Sequence, residues 1–382
     1  MRSLRRRVSV AFLVCLAVSI GYILLRANFA APDVSLAQRQ INQLIHKINN
    51  ANPTDEYVLS ARNVFNYTIS ENFNLDTMNS ILDNLIYRGK KKNRLLIAML
   101  VNTNNLNTQV IERNYEHTAA WCDFILVSFG TATYDISQKV KEKIMVKHAR
   151  SIETIVEENV VNKQISKMKL ASLDHTTHPK PLLYLELLDY VDDYENLMII
   201  DDDVLLDGLD FPRLLKQLDC IAPLVSQSAV KGGPKRYVPF LNYDDNRFTE
   251  KEYISSGFIE MQCPIFNSDY FKYFVEHCIK PMIGPIVLLG SDNGIDNIWC
   301  QVASRYSSRH GYINDACVVF VDQYVNHLNF QTSRLIHSDY SHQALRDKEL
   351  VYLFIKNYKS YFIFGNISKA KVKKFIPELC QI

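Results

Sequence analysis

The sequence predicts an α/β domain with a mainly parallel sheet, preceded by an N-terminal membrane anchor and a stem. Three short, continuous apolar runs, at residues 95–101, 124–129 and 196–200, are typical of strands buried on both faces. Helical patterns lie between the runs, among them residues 180–190, which open after Pro179. Strands that alternate with helices indicate a parallel sheet flanked by helices.

The N-terminus predicts a single-pass type II membrane protein. An arginine-rich segment, residues 1–7, precedes an uncharged run at residues 8–25, and Arg26 closes it. At about 1.5 Å per residue such a run spans roughly 27 Å, close to the hydrocarbon thickness of a bilayer. Because basic flanks stay in the cytosol, residues 1–7 are predicted to be a cytosolic tail and the chain after the run to be lumenal. A cleaved signal peptide is the alternative, although its apolar region is usually shorter.

The lumenal part divides into a stem, residues 26–92, and a domain, residues 93–382. The boundary is set where the first of the apolar runs begins. Two glycosylation sequons, at Asn66 and Asn366, fit a lumenal address. Seven cysteines lie outside the membrane run, and disulfides between them are possible in a lumenal domain. No two of them form a Cys-x-x-Cys pair, which disfavours a zinc knuckle. The expected location is the Golgi membrane, with the endoplasmic reticulum as the alternative.

Composition argues against a nucleic-acid partner. The chain has 43 basic and 41 acidic residues, for a net charge of +2, whereas nucleic-acid binders carry a lopsided, clustered positive charge. Hydrophobic residues make up 47% and charged residues 22% of the 382 positions, which is typical of a folded domain.

An acidic triplet, Asp201, Asp202 and Asp203, directly follows the third predicted strand. In an extended segment alternate side chains face the same way, so Asp201 and Asp203 can share one ligand. Adjacent carboxylates repel each other, and a hard divalent cation relieves that repulsion. Since parallel sheets bind ligands at the carboxyl ends of their strands, the triplet predicts a metal site suited to two phosphates. A solvated acidic turn is the alternative.

Three later residues are candidates for the same site. Glu260 is a lone carboxylate among apolar neighbours, which suits an acid or base or an ion-paired structural residue. Asp296 stands in a glycine-containing turn that opens an apolar helix, where it could cap the helix or act as a base. His327 follows the apolar strand predicted at residues 316–321 and suits either a metal site or a structural role.

Five segments together, at residues 198–203, 226–229, 258–266, 294–296 and 318–327, resemble the domain-of-unknown-function family 707. This family comprises single-span eukaryotic proteins classed as glycosyltransferases, and the resemblance covers roughly residues 93–329. The chain departs from the family pattern at Asn293, where an aromatic residue is usual, at Ser228, where proline is usual, and at Asp202, where glutamate is frequent. These departures bear on substrate preference more than on mechanism.

The resemblance implies a GT-A-like, Rossmann-type mixed sheet and a metal-dependent glycosyltransferase. Its cofactor would be Mn²⁺ or Mg²⁺, its donor a nucleotide-sugar and its acceptor a glycan, protein or lipid. The implied roles are metal ligands for Asp201, Asp203 and His327, donor contacts for the triplet and Gln227, a catalytic base for Asp296, and a sugar-pocket carboxylate with a catalytic role for Glu260.

Two other functions remain open from the residues alone. A catalytically inactive nucleotide- or glycan-binding membrane protein would keep the same fold and bind without turnover. A metal-dependent phosphoesterase is less favoured, because it normally needs more clustered ligands for two metals than this chain offers. The sequence does not decide between inversion and retention at the transferred sugar.

Overall fold

The computed structural model describes residues 93–130, 138–159, 178–232, 241–243, 252–291, 295–309, 316–328, 346, 349–350, 352–354 and 371–374. All of them belong to one unit of the chain, Asn50–Ile382. The predicted tail, anchor, stem and sequons lie outside the described residues. Within the described part, no helix has the length and apolar character that a membrane crossing requires.

The strands of the described residues form one mixed sheet in the order β10-β7-β9-β6-β8-β4-β1-β2-β3, with β5 paired to β9 at its edge. They are β1 (Asn93–Asn102), β2 (Asp123–Phe129), β3 (Met145–His148), β4 (Tyr194–Asp201), β5 (Val204–Leu205), β6 (Val225–Lys231), β7 (Glu252–Ser255), β8 (Ile265–Asn267), β9 (Cys317–His327) and β10 (Lys371–Lys374).

The predicted α/β sheet with flanking helices is confirmed, but the expectation that it is mainly parallel is wrong: among the described strands four pairings are parallel and five are antiparallel. The three apolar runs form β1, β2 and β4, and the run at 316–321 forms the first half of β9. β1 pairs in parallel with β2 on one side and β4 on the other, and β6 pairs in parallel with β9. β8 runs antiparallel to both β4 and β6, so β4, β6 and β9 still share one direction. Their carboxyl ends therefore lie along the same edge of the sheet.

Helices cover both faces of the sheet. Residues 96, 98 and 100 of β1 pack in one core with the helices α3, α4, α6, α7 and α8, while residues 95, 97, 99 and 101 pack in a second core with α1, α2 and α5. The α-helices of the described residues are α1 (Thr108–Thr118), α2 (Gln138–Lys141), α3 (Ile152–Asn159), α4 (Lys180–Leu183), α5 (Phe211–Ile221), α6 (Ser268–Phe274), α7 (Ile283–Leu289) and α8 (Trp299–Arg309).

Side-chain caps fix where the main helices begin. Asn107 accepts a hydrogen bond from the backbone N–H of Val110 at the start of α1, at 3.3 Å. Asp210 accepts one from Arg213 N–H at the start of α5, at 3.1 Å. Such caps satisfy backbone donors that have no partner inside the helix, each contributing about 1 kcal/mol. The caps set the register in which these helices present side chains to the sheet edge.

The chain changes its winding direction at β1. It proceeds from β1 to β2 and β3 on one side and then returns to place β4 on the other side of β1. In open α/β sheets the crevice for a ligand lies at such a switch point, outside the carboxyl ends of the strands. The acidic triplet, at the end of β4, lies at this point.

A disulfide joins Cys300, in α8, to Cys317, the first residue of β9. The two cysteines are buried and 17 positions apart in sequence. Closing a loop of this size removes conformational entropy from the unfolded chain worth about 3 kcal/mol. The crosslink therefore fixes the helix that follows Asp296 to the strand that ends at His327.

Candidate active site at the carboxyl edge of the sheet

Asp203 and His327, far apart in sequence, meet through the short strand β5. β5 begins directly after Asp203 and runs antiparallel to the end of β9, so that Val204 lies opposite His327. The backbone N–H of Leu328 donates to the Asp203 carbonyl oxygen at 2.8 Å. This register places Asp203 Oδ2 3.3 Å from His327 Nε2, with 13% and 10% of the two side chains exposed.

This pair fits a divalent cation. Two ligands on one octahedral ion, each at about 2.1 Å, are roughly 3 Å apart, close to the separation of Asp203 and His327. The other ring nitrogen of His327, Nδ1, is buried and has no hydrogen-bond partner among the described residues. In that described part, no group of three His, Cys, Asp or Glu side chains is arranged to hold a metal ion. Among the described residues, a cation here would thus have Asp203 and His327 as ligands.

Asp201 is paired with a lysine that the sequence reasoning missed. Lys180 opens α4, and its Nζ lies 2.6 Å from each carboxylate oxygen of Asp201 and 3.4 Å from the carbonyl oxygen of Met261. Burial raises the pKa of Asp201 above its ordinary value, and Lys180 acts in the opposite direction. Asp201 is therefore held by a protein cation, and its predicted metal binding stays a prediction.

Asp202 lies beside the end of β1, where it accepts a hydrogen bond from the backbone of Asn102. Burial raises its pKa to about 7, the repulsion from Asp201 and Asp203 adds to this rise, and a hydrogen bond from the Asn102 backbone N–H opposes it. Asn102 is the last residue of β1, so this carboxyl lies at the switch point of the sheet. A bound cation nearby would favour its ionised form.

Gln227 supports the segment that carries Glu260. Its side chain is fully buried in β6, its Oε1 accepts from the Glu260 backbone N–H at 2.6 Å, and its Nε2 donates to the Ser228 carbonyl at 3.3 Å. The same segment is tied to β4, because the Asp201 N–H donates to the carbonyl of Gln262 at 3.2 Å. Glu260 is partly exposed beside the triplet. The predicted contact of Gln227 with a donor stays a prediction; the structure gives it a supporting role.

Asp296 lies in a single 3-10 turn, Ile295–Asn297, immediately before α8, as the glycine-containing turn predicted. Its side chain is partly exposed. The indole Nε1 of Trp299 donates to the carbonyl of Ile259 at 3.0 Å, which ties this turn to the segment that carries Glu260. Ile259, Ile295 and Trp299 belong to one core. The two predicted catalytic carboxylates therefore belong to neighbouring segments.

No protein-family model and no curated protein matches this chain, so its membership of family 707 is not confirmed. It is similar to S. aureus TarS 1–349 in complex with UDP-GlcNAc, at 12% identity and a TM-score of 0.34 over 72% of this chain and 74% of that one. It is also similar to the galactosyltransferase LgtC in complex with donor and acceptor sugar analogues, at 11% identity and a TM-score of 0.29 over 70% of this chain and 100% of that one.

A third similar structure is mouse xyloside xylosyltransferase 1 in its apo form, at 8% identity and a TM-score of 0.26 over 70% of this chain and 83% of that one. Two of the three solved proteins are sugar transferases by name, and the third was solved in complex with UDP-GlcNAc. At such low TM-scores their likeness carries no argument about the activity of this chain, which has to be inferred from its own residues.

Proposed function

We propose that this protein is a metal-dependent glycosyltransferase that moves a sugar from a nucleotide-sugar to a glycan, protein or lipid acceptor. The observation that carries the proposal is the Asp203–His327 pair, 3.3 Å apart at the carboxyl edge of the sheet. The pair adjoins the triplet at the switch point between β1 and β4, where α/β sheets bind nucleotides. The five-segment resemblance to a glycosyltransferase family supports the same activity.

Asp203 and His327 would hold Mn²⁺ or Mg²⁺. When bound, the ion neutralises the donor diphosphate and stabilises the nucleotide as it leaves. Lys180 pairs with Asp201 next to the proposed ion site, and Asp202 lies beside the end of β1. We assign these two carboxylates to the donor, because they directly precede Asp203 at the switch point of the sheet.

Asp296 is the proposed base, with Glu260 as the second candidate. Both carboxylates are partly exposed, and their segments are joined through Trp299 and Ile259. The base takes the proton of the acceptor hydroxyl while the hydroxyl oxygen attacks the anomeric carbon of the donor sugar. The bond between that carbon and the nucleoside diphosphate breaks, and the nucleoside diphosphate leaves. Such a base typically contributes about 10²- to 10⁴-fold to the rate.

We also propose a location for the enzyme in the secretory pathway. We propose a type II protein of the Golgi membrane, anchored by residues 8–25 and glycosylated at Asn66 and Asn366. The disulfide between Cys300 and Cys317 supports this location, because disulfides persist in oxidising compartments and are rare in the cytosol.

The proposal is tested by thermal unfolding of the full-length chain in detergent, against a panel of nucleotide-sugars with and without Mn²⁺. A ligand at 100 times its dissociation constant stabilises the folded state by about 2.7 kcal/mol, which shifts the melting temperature by several degrees. We expect one donor to give this shift only with Mn²⁺, and a chelator to remove it. A folded sample that responds to no donor would contradict the proposal, and a donor shift without any transfer would favour the inactive binding protein.

Replacement of the proposed base separates binding from transfer. Asp296→Asn should keep the Mn²⁺-dependent donor shift and lower transfer by at least about 100-fold, because it removes the proton acceptor without altering size. Glu260→Gln is the matched variant, measured in the same donor-binding and product-formation assays. If Glu260→Gln abolishes transfer and Asp296→Asn does not, the two assignments are reversed. If Asp296→Asn unfolds the protein, the role of Asp296 is structural rather than catalytic.

A further inference from the structure

Asn114 is a buried amide in the interior of α1, with 1% of its surface exposed. Asparagine is a poor helix former, and a buried amide costs free energy unless its donors and acceptor are bonded. Here both ends of the side chain are used. Its Nδ2 donates to the carbonyl of Val204 at 2.8 Å, and its Oδ1 accepts from the backbone N–H of Leu206 at 2.9 Å.

These two bonds cover the outer edge of β5. The strand has only two residues, and its other edge pairs with β9, where Val204 lies opposite His327 and Leu205 opposite Asn326. In an antiparallel ladder, alternate residues direct their backbone groups to opposite sides. The Asn114 amide therefore bonds the groups that a neighbouring strand would otherwise bond, and it holds β5 against β9.

The same helix makes two further contacts with the segment that follows the triplet. Arg113 donates to Asp207 Oδ2 at 2.7 Å, and Asp207 Oδ1 accepts from Asn326 at 2.7 Å, one residue before His327. His117 Nε2 lies 3.1 Å from the carbonyl oxygen of Leu209. Three neighbouring residues of α1 thus contact the chain between Asp203 and α5, and Asn114 is the buried one among them.

We infer that Asn114 is a positioning residue for the Asp203–His327 pair. Asp203 immediately precedes β5, and its carbonyl accepts from Leu328, the residue after His327. Once Asn114 fixes β5, this ladder sets how far the carboxylate of Asp203 stands from the imidazole of His327. The inference rests on the proposed function only for what the pair binds; the positioning itself is a property of the protein without a ligand.

Hydrogen exchange on the metal-free, full-length protein tests the positioning directly. Asn114→Ala should speed exchange of the Leu328 amide at least tenfold, although Asn114 does not contact Leu328, while amides of β1 and β4 stay protected. The matched control is Gln217→Ala. Gln217 is a fully buried amide of α5 that bonds to Asp322 and Gln323 of β9 but not to β5. Exchange at Leu328 that is unchanged in Asn114→Ala, or equally fast in the control, overturns the inference.

The wild-type protein supplies a second measurement should Asn114→Ala fail to fold. The amides of Leu206 and Leu328 should exchange through one opening event, with the same opening free energy and the same response to added denaturant. Separate openings would show that the two edges of β5 are independent, and the inference would be wrong.

A third measurement determines the affinity of the Asp203–His327 pair for a cation, with Mn²⁺ alone as the probe. Loss of a residue that orients a metal ligand typically weakens binding by about 10- to 100-fold. We expect such a loss in Asn114→Ala and a change below about twofold in Gln217→Ala. Equal affinities in wild type and Asn114→Ala overturn the inference. If the wild type does not bind Mn²⁺, the proposed metal dependence is contradicted instead. The hydrogen-exchange results then decide whether Asn114 positions the pair.

Discussion

Asp203→Asn is expected to abolish Mn²⁺-dependent donor binding and to lower transfer by more than about 100-fold, because it removes the negative charge of a proposed cation ligand. Folding should be preserved. The substitution keeps the shape of the side chain, and it removes a charge that repels Asp202 and contributes to the raised pKa of that carboxyl. The Asp203 main-chain carbonyl still accepts from Leu328.

Mn²⁺ titration and donor-dependent melting on the same preparation check this expectation. The control is Asp189→Asn, an identical chemical change at a side chain that is 69% exposed and pairs with Lys147. The control should bind Mn²⁺ and donor like the wild type. If Asp203→Asn also binds like the wild type, the cation lies elsewhere, and the central residue of the proposed site is misassigned.

Lys180→Met is expected to destabilise the protein, because it leaves the Asp201 carboxylate without its cation. The two side chains are 18% and 21% exposed, between the surface and the interior. Exposed ion pairs contribute up to about 1 kcal/mol, and loss of one partner from a buried pair costs about 3–5 kcal/mol. We expect a loss of about 2 kcal/mol in the free energy of unfolding. Methionine keeps the apolar stem of the lysine, so packing changes little.

Denaturant unfolding of a double-mutant cycle isolates this pair. Lys180→Met combined with Asp201→Asn should recover most of the lost stability, since the remaining amide carries no charge. Lys272→Met is the matched control, because Lys272 pairs with Asp192 at 2.8 Å on a more exposed surface. If Lys180→Met costs no more than Lys272→Met, the Lys180–Asp201 pair is an ordinary surface contact without a structural role at the site.

The sheet was predictable where strands are apolar in sequence. Residues 95–101 and 196–200 could be assigned because both faces of β1 and β4 are covered by helices, which requires continuous hydrophobic side chains. β6 carries no such signal. Its residues Ser226, Gln227 and Ser228 are fully buried yet polar, and its place in the sheet follows from its partners β8 and β9.

The site was predictable only in its local part. The position of the triplet could be predicted because it directly follows an apolar strand. The turn before α8 could be predicted from its glycine. Lys180 could not be found in this way, because a lysine at a helix start is usually solvated. Asn114 was equally hidden, since its partners are backbone groups of Val204 and Leu206 that any sequence possesses. That Asp203 and His327 belong to one site was predicted from the family resemblance and not from their spacing in the sequence.

The crosslink between Cys300 and Cys317 decides how the protein should be prepared for every experiment above. A host that makes the chain in a thiol-rich cytosol delivers it without that bond, with α8 and β9 joined only by packing. Dithiothreitol in an assay buffer reduces the bond in molecules that unfold, where the buried sulfurs become accessible, and it also competes for Mn²⁺. The protein should therefore be secreted through an oxidising compartment and kept in thiol-free buffers, and the disulfide should be verified by mass spectrometry. If such a sample is inactive, the cause lies in the chemistry of the site and not in a missing disulfide.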